Sequence, residues 1–210
     1  MNNIKKFQFH SPTTILISGV SQSGKSTWIE KVINFNDQLF DTPPKKIIYC
    51  YSAYQNLFDR IKNKVNLFQG IPSLEEICLP NKEHVLLILD DMLDQLSRDI
   101  VNIFTVSSHH CNISCIFVTQ NIFFKNPHLR SISLNSHYIV TFRQPRDLNQ
   151  IQVLGRQILP HKSKVSLKIY SEATKKKYNY ILINIHSANE LHTSIHENIF
   201  PNEIETIYFE

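Results

Sequence analysis

Only 4 glycines occur in 210 residues, and two of them frame the run Gly19-Val20-Ser21-Gln22-Ser23-Gly24-Lys25-Ser26. This run fits G-x-x-x-x-G-K-[ST] in full, and Thr27 follows it. Such a loop must turn its backbone N–H groups inward around phosphates, so glycine is needed where a side chain would collide. A lysine at the seventh place neutralises β- and γ-phosphates, and a hydroxyl at the eighth ligates magnesium. The flanking pattern agrees. Ile15, Leu16 and Ile17 make residues 13–18 a short apolar strand, and Trp28, Ile29, Val32 and Ile33 give residues 26–34 a helical period. The positive end of that helix would face the anion. Residues 19–27 are therefore expected to bind ATP, with Lys25 on the phosphates and Ser26 on Mg2+.

Further apolar runs at residues 46–51, 85–89, 113–119 and 138–142 read as strands. Residues 57–64 and 95–108 read as helices, the second presenting Leu96, Ile100, Ile103 and Phe104 on one face. Strands alternating with helices predict an α/β fold with a mostly parallel central sheet flanked by helices, which with the loop at 19–26 makes a P-loop NTPase. Beyond Pro160, residues 165–170 and 178–185 read as two strands of a C-terminal β-hairpin joined by a Lys-rich turn. The expected layout is an N-terminal extension at 1–12, an ATPase core at 13–160 and a β-rich extension of the same domain at 161–210.

Composition narrows the setting. Hydrophobic residues make up 42%, enough for a sizeable core, which excludes a disordered chain. A net charge of +4 is compatible with a polyanionic partner without requiring one. The 4 cysteines show no C-x-x-C pair, which fits reduced thiols inside a cell. His109, His110, Cys111 and Cys115 do not match the spacing of common zinc sites. Lys175, Lys176 and Lys177 read as a solvated turn. With no signal-like apolar segment and no run long enough to span a bilayer, the sequence predicts a soluble, intracellular protein.

Two further elements complete a hydrolytic site. Val85-Leu86-Leu87-Ile88-Leu89-Asp90-Asp91 is an apolar strand ending in two carboxylates. Asp90 is placed to hold magnesium, and Asp91 to activate the attacking water. Gln120 ends the next apolar strand, where a polar side chain faces the ligand crevice and can hydrogen-bond the water and the γ-phosphate. Arg130, Arg143 and Arg146 all follow that strand. Arg130 and Arg146 are the candidates for a charge supplied across a subunit boundary.

Taken together, these residues resemble the genome-packaging ATPases of Polinton/Maverick elements, adintoviruses and related eukaryotic DNA viruses. That group lies in the FtsK–HerA superfamily and includes the poxvirus packaging ATPase. The resemblance rests on Ser26-Thr27 in the P-loop and on Leu89-Asp90-Asp91. It also rests on His109-His110-Cys111-Asn112-Ile113-Ser114 leading into Val118-Thr119-Gln120-Asn121, and on Arg130-Ser131-Ile132-Ser133-Leu134-Asn135. Phe142-Arg143-Gln144-Pro145-Arg146-Asp147 and Asn198-Ile199-Phe200-Pro201-Asn202-Glu203 complete it. Asp91 stands where the superfamily usually carries Glu. The resemblance implies a motor that hydrolyses ATP to drive double-stranded DNA into a capsid. It also implies a homo-oligomeric ring with each site at a subunit interface, a capsid protein as partner, and a place in the host nucleus, the cytoplasm or the virion.

Composition and spacing alone reach only a P-loop NTPase. Two other functions fit that much: a small nucleoside or nucleotide kinase, and a nucleotide-bound scaffold that does not hydrolyse. Nucleoside-dependent ADP production without DNA would mark the kinase. The intact set Lys25, Ser26, Asp90, Asp91 and Gln120 speaks against a scaffold.

Overall fold

A computed structural model describes residues 6–122, 126–145, 148–158, 163–188 and 194–209; the side chains of residues 109, 163 and 209 lie outside the description. In chain order the elements begin with β1 (Thr14–Ser18), α1 (Lys25–Asn34), α2 (Asn36–Leu39), β2 (Lys46–Tyr51), α3 (Phe58–Ile61), β3 (Asn66–Gln69) and α4 (Leu74–Ile77). Then come β4 (Val85–Asp90), α5 (Arg98–Asn102), α6 (Ser108–His110), β5 (Ile113–Thr119), α7 (Pro127–Leu134) and β6 (Tyr138–Phe142). The last are α8 (Leu148–Ile158), α9 (Ser163–Ala173), β7 (Tyr180–Asn184), β8 (Ser194–Glu197) and β9 (Thr206–Phe209).

Among the described residues nine strands form one sheet in the order β3-β2-β4-β5-β1-β6-β7-β8-β9. The strands from β3 to β6 are parallel, and β7, β8 and β9 are antiparallel additions. Every residue of β1, β4 and β5 is buried, as continuous apolar strands covered on both faces must be. Side-chain alternation divides the core in two. Ile15 and Ile17 point to one face, where α1 lays Trp28, Ile29, Val32 and Ile33 beside Leu86, Ile88, Ile116 and Val118. Leu16 points to the other, with Leu87, Leu89 and Phe117, beneath Ile100 and Phe104, Leu129 and Ile132 of α7, and Ile151 and Leu154 of α8. Local chemistry starts the helices. Asn126 caps α7 by accepting from the His128 and Leu129 N–H groups, at 2.8 and 3.3 Å, and Pro127 occupies the first turn.

The sheet and its flanking helices match the expected fold class, with antiparallel strands at the C-terminal end. Two expected elements are corrected. Residues 165–170 are not a hairpin strand; they lie within α9, and the Lys-rich turn joins this helix to β7. The buried side chains Ser166, Tyr170, Ala173 and Thr174 recur at helical spacing. Residues 95–108 are not one helix. A 3₁₀ turn at Leu93–Gln95 comes first, α5 follows, and a π-helical segment at Ile103–Ser107 leads into α6. Among the described residues no helix is long and apolar enough to cross a membrane.

One buried polar network ties this core together below the strand starts. Ser114 Oγ accepts from the Thr13 N–H at 3.0 Å and is 2.7 Å from His84 Nε2, and His84 Nδ1 meets the Thr42 carbonyl. A neutral imidazole protonated on Nδ1 satisfies all three contacts. Burial holds the His84 pKa below its ordinary 6.5, against the pull of the Thr42 carbonyl and Asp41. The unfolded chain takes up a proton near pH 6.5 and the folded chain does not, so this residue's contribution falls as pH drops below about 6.5. His84→Gln should flatten the melting temperature's decline between pH 6.5 and 5 relative to the parent, in thermal melts across that range. An unchanged slope would remove His84 from the acid response.

Candidate nucleotide site

The loop between β1 and α1 has the backbone a phosphate cradle needs. Gly24 sits at φ +114°, in the region that side chains disfavour, and Gln22 at φ +62°. Crowding sets Gly19: a Cβ there would come within 2.5 Å of Ser23 Oγ and 2.9 Å of Phe142 Cβ. Gly24 is the N-cap of α1, and no side chain caps the helix, so its first N–H groups are available to an anion. Lys25 turns back over the loop, its Nζ donating to the Gly19 and Val20 carbonyls at 2.6 and 3.0 Å. Burial pulls the Lys25 pKa down, while the charges of Asp90 and Asp91 oppose the shift.

Asp90 ends β4 two strands from the loop, and it is only 6% exposed. Its Oδ2 accepts from the Tyr49 hydroxyl at 2.7 Å and from Gln55 Nε2 at 3.4 Å. Burial raises the Asp90 pKa. The Tyr49 hydrogen bond opposes this, Asp91 adds to it, and Lys25 and Gln55 lower it again. Next in the chain, Asp91 is exposed and held at φ +56°, a left-handed conformation that Asp tolerates better than most residues. That turn ends the strand and directs the chain away from β4. Gln120 is exposed at the tip of β5, between the P-loop strand and the acid-tipped strand.

These groups meet in an open cleft of about 500 Å³, lined among others by Ser21, Gln22, Lys25, Ser26, Asp90, Asp91 and Gln120. Thr27 is exposed on the first turn of α1 and is not among the lining residues. Arg130 is exposed on α7 and does not line the cleft. Arg146 lies outside the described residues.

Three features of the site were not expected from sequence. Tyr49 lies in the strand read at residues 46–51, and its hydroxyl holds Asp90. Gln55 joins it from the loop after β2. Gln144, only 4% exposed, donates its side-chain amide to the Gln120 carbonyl at 3.1 Å and to Ser18 Oγ at 3.5 Å, tying together the tips of β5, β1 and β6. The Lys-rich turn also proves to be a neighbour of the P-loop, since a Cβ on Gly24 would stand 3.2 Å from Tyr178 Cβ. A polar residue just past an apolar strand was the available signal for Gln144; Tyr49 and Gln55 gave none.

Solved structures place this architecture. The genome packaging NTPase B204 from Sulfolobus turreted icosahedral virus 2, in complex with ATP-gammaS, superposes with a TM-score of 0.53 at 15% identity over 93% of this chain and 96% of that one. Its sulfate complex gives 0.56 at 12% identity, over 93% and 95%. The cytoplasmic domain of the Thermomonospora curvata Type VII secretion ATPase EccC gives 0.55 at 13% identity, over 94% of this chain and 25% of that one. The chain has a P-loop NTPase fold. No protein-family model and no curated protein matches the sequence.

With the fold in place, the two acids can be separated. Asn accepts the left-handed backbone at least as well as Asp, so Asp91→Asn removes charge without disturbing the turn. It should keep ATP and magnesium binding while slowing hydrolysis by about 10²- to 10⁴-fold, the usual worth of a positioned base. Asp90→Asn should instead weaken metal binding. Titration calorimetry with ATP and Mg2+, beside phosphate release, distinguishes the two. Metal binding lost in Asp91→Asn and kept in Asp90→Asn would reverse the assignment.

Proposed function

We propose that the chain is an ATP-hydrolysing motor that moves double-stranded DNA into a viral or transposon capsid as a ring of identical subunits. The observation that carries this is the convergence of three strand tips in one cleft: the P-loop after β1, the paired acids after β4, and Gln120 at the end of the strand between them. This arrangement grips phosphates, offers acids for a metal and for water, and sets an amide where it can read the γ-phosphate. The oxygen donors of Ser26 and Asp90 suit Mg2+, which would neutralise charge on the β- and γ-phosphates. Lys25 holds the same phosphates, Asp91 orients and polarises water, and Gln120 contacts water and γ-phosphate.

Support for packaging, as against other P-loop chemistry, is that B204 is described as a genome packaging NTPase and a DNA-packaging ATPase and matches over nearly the whole of both chains. The resemblance to Polinton/Maverick and adintovirus ATPases points the same way. On this reading the partners are duplex DNA without sequence preference, further copies of the chain and a capsid protein. The work is done in the host nucleus, the cytoplasm or the virion.

The deciding experiment measures ATP turnover with and without duplex DNA, alongside native mass in ATP. Stimulation by unrelated duplexes and a closed oligomer are expected. A motor that grips phosphates in every register should also bind with steep salt dependence and no preferred site. Turnover that requires a nucleoside and ignores DNA would establish a kinase instead.

A further inference from the structure

Beside the nucleotide cleft, the tip of β6 and the helices α8 and α9 enclose a second open groove of about 550 Å³. Four cations line it, Arg143, Lys164, Lys168 and Lys175, against a single carboxylate, Glu172. Glu172 is already occupied by Lys175 Nζ at 2.6 Å. All four cations are exposed, and Arg143, Lys164 and Lys168 form no ion pair among the described residues. Lys164 and Lys168 lie one turn apart on α9, and Lys175 follows just past its end on the same face. At a rise of ~1.5 Å per residue the row extends roughly 16 Å. A duplex strand places a phosphate about every 3.4 Å along its axis, so the row spans several phosphates, where a small anion would meet one lysine. Exposed charges in a line, with no buried donor converging on a point, suit a repeating polyanion.

The floor of this groove is connected to the cleft. The Gln144 N–H donates to the Tyr170 hydroxyl at 2.6 Å, and that hydroxyl donates to the Phe142 carbonyl at 3.0 Å. Through its side chain the same Gln144 holds the backbone of Gln120. A shift of α9 or of the β6 tip therefore acts on the residue placed to read the γ-phosphate.

We propose that this groove grips the phosphate backbone of double-stranded DNA through Arg143, Lys164, Lys168 and Lys175. Gln144 is a positioning residue that links the grip to Gln120. The inference rests on the reading of the chain as a DNA motor and adds where DNA is held and how its presence reaches the nucleotide.

The test uses fluorescence anisotropy of two unrelated labelled duplexes across a salt series, with ATP turnover measured in parallel. Each lost phosphate contact should lower the slope of log affinity against log salt by about 0.9. The triple variant Arg143→Ala, Lys164→Ala, Lys168→Ala should therefore lose about 2 to 3 from the slope. The double variant Lys62→Ala, Lys64→Ala, on exposed lysines far along the chain, should lose none. Gln144→Ala should keep the parental slope while its ratio of DNA-stimulated to DNA-free turnover falls to about one. Gln144→Glu, which keeps the size but not the amide donor, should behave alike. If the parent binds DNA and the triple variant keeps its slope, the groove is not the grip, although the motor reading stands. No DNA binding by the parent overturns both. Stimulation that survives in both Gln144 variants overturns the link. Displacement of duplex by polyglutamate at equal charge concentration would assign the groove to an acidic protein segment and overturn the DNA assignment.

Discussion

Replacing Lys25 with alanine is expected to abolish ATP turnover and to weaken nucleotide binding. Among the described residues lining the cleft, Lys25 is the one cation. On the proposed reading, its removal leaves the β- and γ-phosphates beside Asp90, Asp91 and Asp94, with only magnesium and backbone N–H groups to offset the repulsion. Loss of such a charge in a phosphoryl-transfer site should reduce turnover by on the order of 10³-fold or more. The fold should survive, because Lys25 belongs to neither apolar core cluster and its bonds are to loop carbonyls at the start of α1. Phosphate release and binding of a fluorescent ATP analogue check the two effects separately. Parental turnover in Lys25→Ala would remove the P-loop from the chemistry.

A second large effect is expected from an arginine outside the cleft. On the proposed reading Lys25 binds the ground-state phosphates, and no other described side chain lining the cleft is a cation that could meet charge developing in the transition state. An arginine from a neighbouring subunit would fill that role, and such residues are worth about 10³- to 10⁵-fold. Arg130, exposed on α7, and Arg146 are the candidates. Arg130→Ala or Arg146→Ala should each be nearly inactive as a pure assembly if it is the donor. That variant should regain turnover when mixed with Lys25→Ala, because an intact loop can then sit beside an intact arginine. Turnover per subunit should also rise with protein concentration as subunits associate. A rate independent of concentration, with no rescue for either arginine, would confine catalysis to one subunit and defeat the ring.

The loop between β1 and α1 was legible in the sequence because its backbone conformation restricts residue type, as at Gly24 with φ +114°. The central strands were legible because burial on both faces leaves an unbroken apolar run, as in Val85–Asp90 and Ile113–Thr119. The α9 segment was misread for a definite reason. Val165, Leu167 and Ile169 alternate with polar residues as a strand would, while the face that packs inward begins with Ser166, a polar residue in a buried place. Likewise β8 hides its strand character behind buried Ser194 and His196, and His196 is satisfied by Ser194 Oγ at 2.7 Å and Glu205 at 2.6 Å. The π-helical segment adds a residue to a turn, which no apolar period reveals. In the site, Lys25, Ser26, Asp90, Asp91 and Gln120 could be named because each follows an element the sequence announces. Tyr49 and Gln55 act through contacts with Asp90, distant in the chain, which leave no mark on local pattern, and Gln144 offered only its place just past an apolar strand.

The position of β1 has a consequence for how the molecule comes into being. Its partners are β5 and β6, so Thr14 must wait for Cys115, and Ile15 for Tyr138. The Gly19 N–H likewise finds its acceptor in the Thr119 carbonyl. At synthesis rates of about 5–20 residues per second, roughly 5 to 20 seconds separate the emergence of β1 from that of β5. Pairings of such long range are slow to close and leave apolar edges open meanwhile. The loop after β1 is therefore made before the strands that anchor it, β5 and β6. A nascent chain halted before Thr119 has no frame on which to hang it, so the loop takes its shape only when β5 and β6 are in place.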